Sequence, residues 1–431
     1  MSRHQIAGDV LQDTPAGRDR VIDLMRVGAI LCVVVGHWLM QGVYIDDDGP
    51  HRQGLLGLAP WTHPLTWLLQ VMPIFFLVGG FSNALSWRRA ASDGTTYGTW
   101  LYRRTRRLTS PLLPLLVFWS VVASVAGPIG LDRDWLRIAG KASLVPTWFL
   151  AVYLLVVALV PFTVWFWDRF GLASIVAGLM MAGVVDVVSL GADHRLVGVV
   201  NVVIVWATMH QVGYAWLDGA LHRGNRRWWL VLGSFTVLVA LVWLGPYGVS
   251  MVGVDGFGVD NTNPPKVTLL LLGLWQAGIA LLLERRLRAL TARRRIWSIT
   301  VLVESRLMTV YLWHLTALGI LLGLSMWTGI GLHAVPDTAD WWLALPWWLL
   351  VLVAATGLIT WLMGRYELLP ASQPTVPAVV SLTEVLLIST AIAALARYGL
   401  VLPGGHVLWY VPLAAALLLI GVARTSTRRW L

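Results

Sequence analysis

Hydrophobic positions in this chain fall into long runs. From Val21 to Ala423, stretches of about 17 to 23 apolar residues recur, each long enough to cross a hydrocarbon core of roughly 30 Å as a helix. The runs predict spans at 21–44, 65–87, 110–129, 147–167, 172–190, 196–217, 228–246, 267–283, 299–327, 341–363, 381–402 and 407–423. That pattern is an all-α polytopic membrane protein of about 12 transmembrane helices. The Pro-containing stretch 364–380 sets the last two spans apart from the first ten.

Polar residues between the runs orient them. With the N-terminus inside, the connectors on the inner side hold 23 Lys/Arg against 6 outside, so the positive-inside rule places both termini in the cytoplasm. Composition agrees: 57% of the residues are hydrophobic and only 13% charged, which excludes a water-soluble domain. The net charge of +10 needs no nucleic acid, because basic inner loops facing anionic lipid headgroups account for it. The polar segment 1–20 reads as a cytoplasmic tail before an uncleaved first span. A lone Cys32 leaves no disulfide framework and no Cys-rich metal site. His51, His63 and Asp46 to Asp48 lie in one outer loop, but their spacing matches no metal-ligand pattern, so no metal is expected. The 26 Trp serve chiefly as interface anchors.

The first span, RVIDLMRVGAILCVVVGHW, is apolar except for Asp23, Arg26 and His37. At about 100° per residue, the step from Arg26 to His37 closes to within about 20° of three whole turns, so the two share a face. Asp23 lies within about 60° of the same direction and can hold the guanidinium. At about 1.5 Å per residue the Arg and His are roughly 16 Å apart along the axis, which puts Arg26 near the inner headgroups and His37 past mid-bilayer. An ionisable side chain at that depth marks a functional site unless it is only hydrogen-bonded to a neighbouring helix, and both readings stand at this point. On the ninth span Tyr311 and His314 share a face, whereas Arg306 points about 80° away from His314.

Arg-x10-His with Asp three residues before the Arg resembles the signature of the membrane-bound acyltransferase-3 family. Further segments are similar to that family and follow in its order: MPIFFLVGGF, WLYRRTRRLTSPLLP, PTWFLAVYLL and VYLWHLTAL. Gly79 stands where many relatives have Ser. The resemblance implies a ten-helix acyltransferase-3-like domain over 21–363, followed by a cytoplasmic linker 364–380. Two additional helices and a basic tail then occupy 381–431. It also implies an O-acyltransferase in the bacterial inner (plasma) membrane. Such an enzyme moves an acyl group, often acetyl, from cytoplasmic acyl-CoA to a hydroxyl of an envelope glycan, glycolipid or other carbohydrate-bearing acceptor. Acyl-CoA is then a donor substrate, no cofactor is bound, and the remaining partners are membrane lipids and the acceptor.

On that resemblance His37 is the catalytic residue, either as general base toward the hydroxyl or as acyl carrier. Asp23 and Arg26 join it, Arg26 as a donor-phosphate contact, a partner of Asp23, or both. Arg103, Arg104, Arg106 and Arg107 lie at the inner end of the third span, where guanidinium forks suit the phosphates of the donor. Tyr311 and His314 line the same cavity, unless His314 is a structural histidine, and Trp148 with Phe149 walls the thioester end, unless Trp148 is an interface anchor. Glu304 and Glu384 have no assigned role. The rival reading is a secondary transporter or flippase of a polar or glycosylated substrate, since 12 spans with both termini inside is a common transporter topology. Against it, the two halves show no similarity.

Overall fold

The computed structural model describes residues 19–46, 48–126, 130, 133–192, 195–254, 256–367 and 375–399. In chain order the helices begin with α1 Arg20–Met40, α2 Met72–Ser92, α3 Tyr97–Thr109, α4 Leu112–Ala126 and α5 Arg133–Leu144. Next come α6 Thr147–Ala158, α7 Val160–Phe170, α8 Leu172–Gly191, α9 Asn201–Leu217 and α10 Ser234–Leu244. The last are α11 Val267–Ala292, α12 Arg294–Glu304, α13 Leu307–Thr328, α14 Ala339–Met363 and α15 Ala378–Tyr398. A small antiparallel hairpin pairs β1 (Val43–Asp46) with β2 (Gly49–Arg52), Val43 opposite Arg52.

Among the described residues, 10 helical stretches are long and apolar enough to cross a membrane, or 11 if the bent pair α3–α4 counts as one span. The span expected at 407–423 and the tail 1–18 lie outside the described residues. Three expected spans are redrawn. The third, expected at 110–129, is α4, and the basic α3 ahead of it meets it at a bend of 44° at Pro111, since a proline disfavours helix at the residue before it and cannot donate its own amide. The fourth, expected at 147–167, breaks at Leu159; Leu136–Ala158 is the apolar crossing, and Pro161 sits in the first turn of the separate α7. The ninth, expected at 299–327, is cut by a turn at Ser305–Arg306, so Arg306 is not on the helix that carries His314. The restart at Leu307 has a visible cause. Glu367 accepts from Met308 N at 3.0 Å, from Thr309 N at 3.3 Å and from Thr309 Oγ1 at 2.6 Å, satisfying amides that a new helix leaves unpaired.

The chain divides into two compact units. The first comprises the chain up to Gly36, Ala59–Trp87 and Leu159–Leu307; the second comprises His37–Leu58, Arg88–Ala158 and the chain from Met308. In the first unit α9 is the central element, with Trp206, Met209, His210 and Tyr214 fully buried. It crosses α2 backbone to backbone: a Cβ on Gly80 would collide with the His210 carbonyl, and one on Gly213 with the Leu77 carbonyl. The fully buried Asp186 of α8 accepts from Asn201 Nδ2 at 2.8 Å, Tyr247 Oη at 3.2 Å and Val267 N at 2.8 Å, with Lys266 Nζ at 3.9 Å. One carboxylate thereby caps α11 and ties down the loop that precedes it. Burial, reinforced by the Asp186 charge, pushes the Tyr247 hydroxyl above its usual range, which keeps it a donor.

In the second unit α15 lies against α6 and α3. Its inward stripe is Ser381, Val385, Ile388, Ser389, Ile392 and Leu395, the spacing of one helical face. Gly98 permits this docking, because a Cβ there would run into the backbone of Val376–Ala378. Trp119 Nε1 donates to Thr316 Oγ1 at 3.0 Å and joins α4 to α13.

Candidate active site

Helix α1 contributes polar side chains to both units. In the first, Asp23 and Arg26 meet as their spacing predicts, Arg26 Nη1 lying 3.3 Å from Asp23 Oδ1. The same Nη1 lies 2.6 Å from Glu304 Oε1 at the end of α12, and Nη2 donates to Ser82 Oγ on α2. Both carboxylates are nearly buried. Two acids around one guanidinium satisfy it and leave an excess of negative charge, so an incoming phosphate would meet repulsion there. The arrangement favours Arg26 as the hub between three helices.

In the second unit the last turn of α1 delivers His37 to α13. His37 Nδ1 is 2.9 Å from His314 Nε2, and the rings are nearly parallel, 14° apart in plane with centroids at 5.2 Å. His314 is fully buried, whereas His37 is partly open. The next bond assigns the protons. His314 Nδ1 lies 2.6 Å from the Tyr311 carbonyl oxygen, which can only accept, so Nδ1 carries hydrogen. In the neutral ring His314 Nε2 is then an acceptor. His37 must donate from Nδ1, which leaves its lone pair on Nε2. Among the described residues His37 Nε2 has no hydrogen-bond partner. Trp38 Nε1 donates to the His314 carbonyl at 3.2 Å, fixing the same turn of α13 from the neighbouring position on α1.

Tyr311 takes part through its backbone. Its buried hydroxyl donates to the Pro146 carbonyl at 2.9 Å, and its ring meets Phe149 at 5.6 Å. Phe149 is buried, while Trp148 is half-buried and touches the edge of Phe149 at 6.5 Å. The four arginines of α3 do not act as one cluster. Arg103 and Arg107 are exposed and Arg104 half-buried. Arg106 is buried, beside the Tyr102 ring and 3.9 Å from Glu384 of α15. Among the described residues no group of three or more His, Cys, Asp or Glu gathers as a metal site would require.

Glu304, Ser82 and Glu367 are the residues to which sequence reasoning gave no role. Glu304 had a detectable signal, a carboxylate within an apolar run, where an ionisable group calls for a partner. Ser82 and Glu367 had none.

A bundle of long apolar helices with an ionic hub in one unit and a histidine pair in the other describes a multi-pass membrane protein built around protonatable groups. A sequence model of the acyltransferase domain matches residues 19–364. The chain belongs to that family, acyltransferase family 3, and is an acyltransferase. No curated protein and no solved structure matches it.

Proposed function

We propose that the protein is an acyl-CoA-dependent O-acyltransferase of the bacterial plasma membrane. On this reading it transfers an acyl group, acetyl by preference, to a hydroxyl of an envelope glycan, glycolipid or other carbohydrate-bearing acceptor. Its termini are cytoplasmic, in keeping with the basic inner loops. The observation that carries the reading is the chain from the Tyr311 carbonyl through His314 to His37, which leaves a basic nitrogen directed away from the pair.

A sugar hydroxyl is a poor nucleophile until its proton is taken, and an imidazole is suited to take it. His37 Nε2 accepts that proton as the hydroxyl oxygen bonds to the thioester carbon. The tetrahedral intermediate then collapses, the carbon–sulfur bond breaks, and the leaving thiolate recovers the proton from Nε2. Ester and thiol result, with the base regenerated. While Nε2 is protonated His37 is cationic, and its Nδ1–H bond to His314 Nε2 strengthens, which stabilises the charge where it develops. A two-step route through an acyl group on Nε2 would use the same lone pair.

The test uses membranes containing the full chain, isotopically labelled acetyl-CoA and a host envelope extract as acceptor. Wild type should transfer label to alkali-labile ester, and His37→Ala at equal expression should not. Undiminished transfer by His37→Ala would remove the catalytic assignment.

A further inference from the structure

The second unit encloses a small cavity where α1 ends, one residue beyond His37. Trp38 in the last turn of α1, Gln41 just after it, and Trp341 and Trp348 of α14 border it. These indoles are not interface anchors. On α14 the indoles of Trp342, Trp347 and Trp361 are exposed, whereas Trp341 and Trp348, two turns apart on one face, are buried, as is Trp38. Trp38 also donates to the His314 carbonyl, so the wall of the cavity is fixed to the histidine pair. The Gln41 side chain makes no hydrogen bond among the described residues, which leaves both ends of its amide available. On the topology proposed above, this is the outer end of α1.

One wall of the cavity is an irregular strap, residues 329–338, which joins α13 to α14 and contributes Leu332, Ala334 and Pro336. Near its two ends Gly329 and Asp337 take left-handed backbone, φ +71° and +72°. Its middle is fastened through a single residue: His333 Nε2 lies 2.6 Å from Ser325 Oγ on α13, and the His333 carbonyl accepts from Ile45 N of β1 at 3.0 Å. Gly331 makes room for that clasp, since a Cβ there would collide with Ser325 Oγ. With the strap down the cavity offers about 20 Å³, room for one water and far less than an ordinary ligand site of roughly 300 Å³ or more.

We propose that this cavity is the binding site for a carbohydrate ring of the acceptor, opened when the strap swings on Gly329 and Asp337 and releases the Ser325–His333 clasp. The assignment rests on the function proposed above. Indole faces pack against the C–H faces of a sugar ring, and an amide with a free donor and acceptor pairs with its hydroxyls. A ring held among Trp38, Trp341 and Trp348 lies next to the turn that carries His37. Closing the strap over it excludes water, which would otherwise compete with the sugar hydroxyl for the acyl group.

The test uses membranes containing the full chain, labelled acetyl-CoA and a host envelope glycan extract at varied concentration. Gln41→Leu and Trp348→Leu should each raise KM for the extract at least about fivefold, the scale of one hydrogen bond, and leave KM for acetyl-CoA unchanged. The strap is tested by locking it. In a Cys32→Ser background, Ser325→Cys/His333→Cys joined by a short bis-methanethiosulfonate reagent should transfer at least about tenfold less label to the extract, and dithiothreitol should restore transfer. Undiminished transfer by the cross-linked protein, or an unchanged KM for the extract in both substitution variants, would overturn this site and leave the acyltransferase reading intact. A wild-type protein that transfers no label would contradict that reading, and this site with it.

Discussion

At the scale of single residues, the state of His37 depends on a carbonyl two bonds removed. Tyr311 O makes His314 an acceptor, and His314 makes His37 a donor from Nδ1. His314→Ala frees His37 to adopt the other tautomer, and kcat should fall about 100-fold, the lower end of what general-base catalysis contributes. His314→Gln, whose side-chain oxygen can accept from Nδ1, should recover part of the loss, and KM for acyl-CoA should hold in both. Equal kcat in the two variants would deny the tautomer argument. The ionic hub yields a stability prediction. Arg26→Met removes the cation between two nearly buried carboxylates and should cost about 3 kcal/mol in reversible unfolding, while adding Asp23→Asn and Glu304→Gln should recover part of the loss. Asp23, Arg26 and His37 were legible because helical periodicity is local. Glu304 on Arg26 was not, and His314 was legible as a neighbour of His37 but not as its hydrogen-bond partner, because the partner's position depends on how distant helices pack.

Among elements, hydropathy located the spans and missed their breaks. Length and apolar content say that a helix can cross, but the division at Ser305–Arg306 depends on Glu367, which caps α13 from about sixty residues away. Helix α15, beyond the matched domain, was legible as a helix and its docking was not. That docking rests on Gly98, on Ser381 Oγ donating to the Gly98 carbonyl at 2.8 Å, and on Glu384 beside Arg106. A glycine in a basic helix signals nothing until the chain crossing it is known. Gly98→Val should release α15. In a Cys32→Ser background, the nearly buried Ser389→Cys should then react with maleimide, and it should remain protected when Gly98 is intact. Protection in both backgrounds would mean that the close crossing does not hold the helix.

For the whole molecule, the proposed reaction requires a particular topology. Reporter fusions at Gly94 and Gly256 should report cytoplasmic and external sides respectively, and same-side signals would break the positive-inside assignment. The class of reaction was legible because several short motifs occur in family order along the chain. The acceptor was not, since an irregular segment such as the one before α11 folds through contacts like those to Asp186 that have no sequence period. The most direct measurement is mass spectrometry of envelope lipids and glycans from cells lacking this gene, complemented with wild type or with His37→Ala. An acyl-sized mass difference should vanish in the deletion strain and return with wild type alone. A full return with His37→Ala would contradict histidine catalysis and favour a transporter.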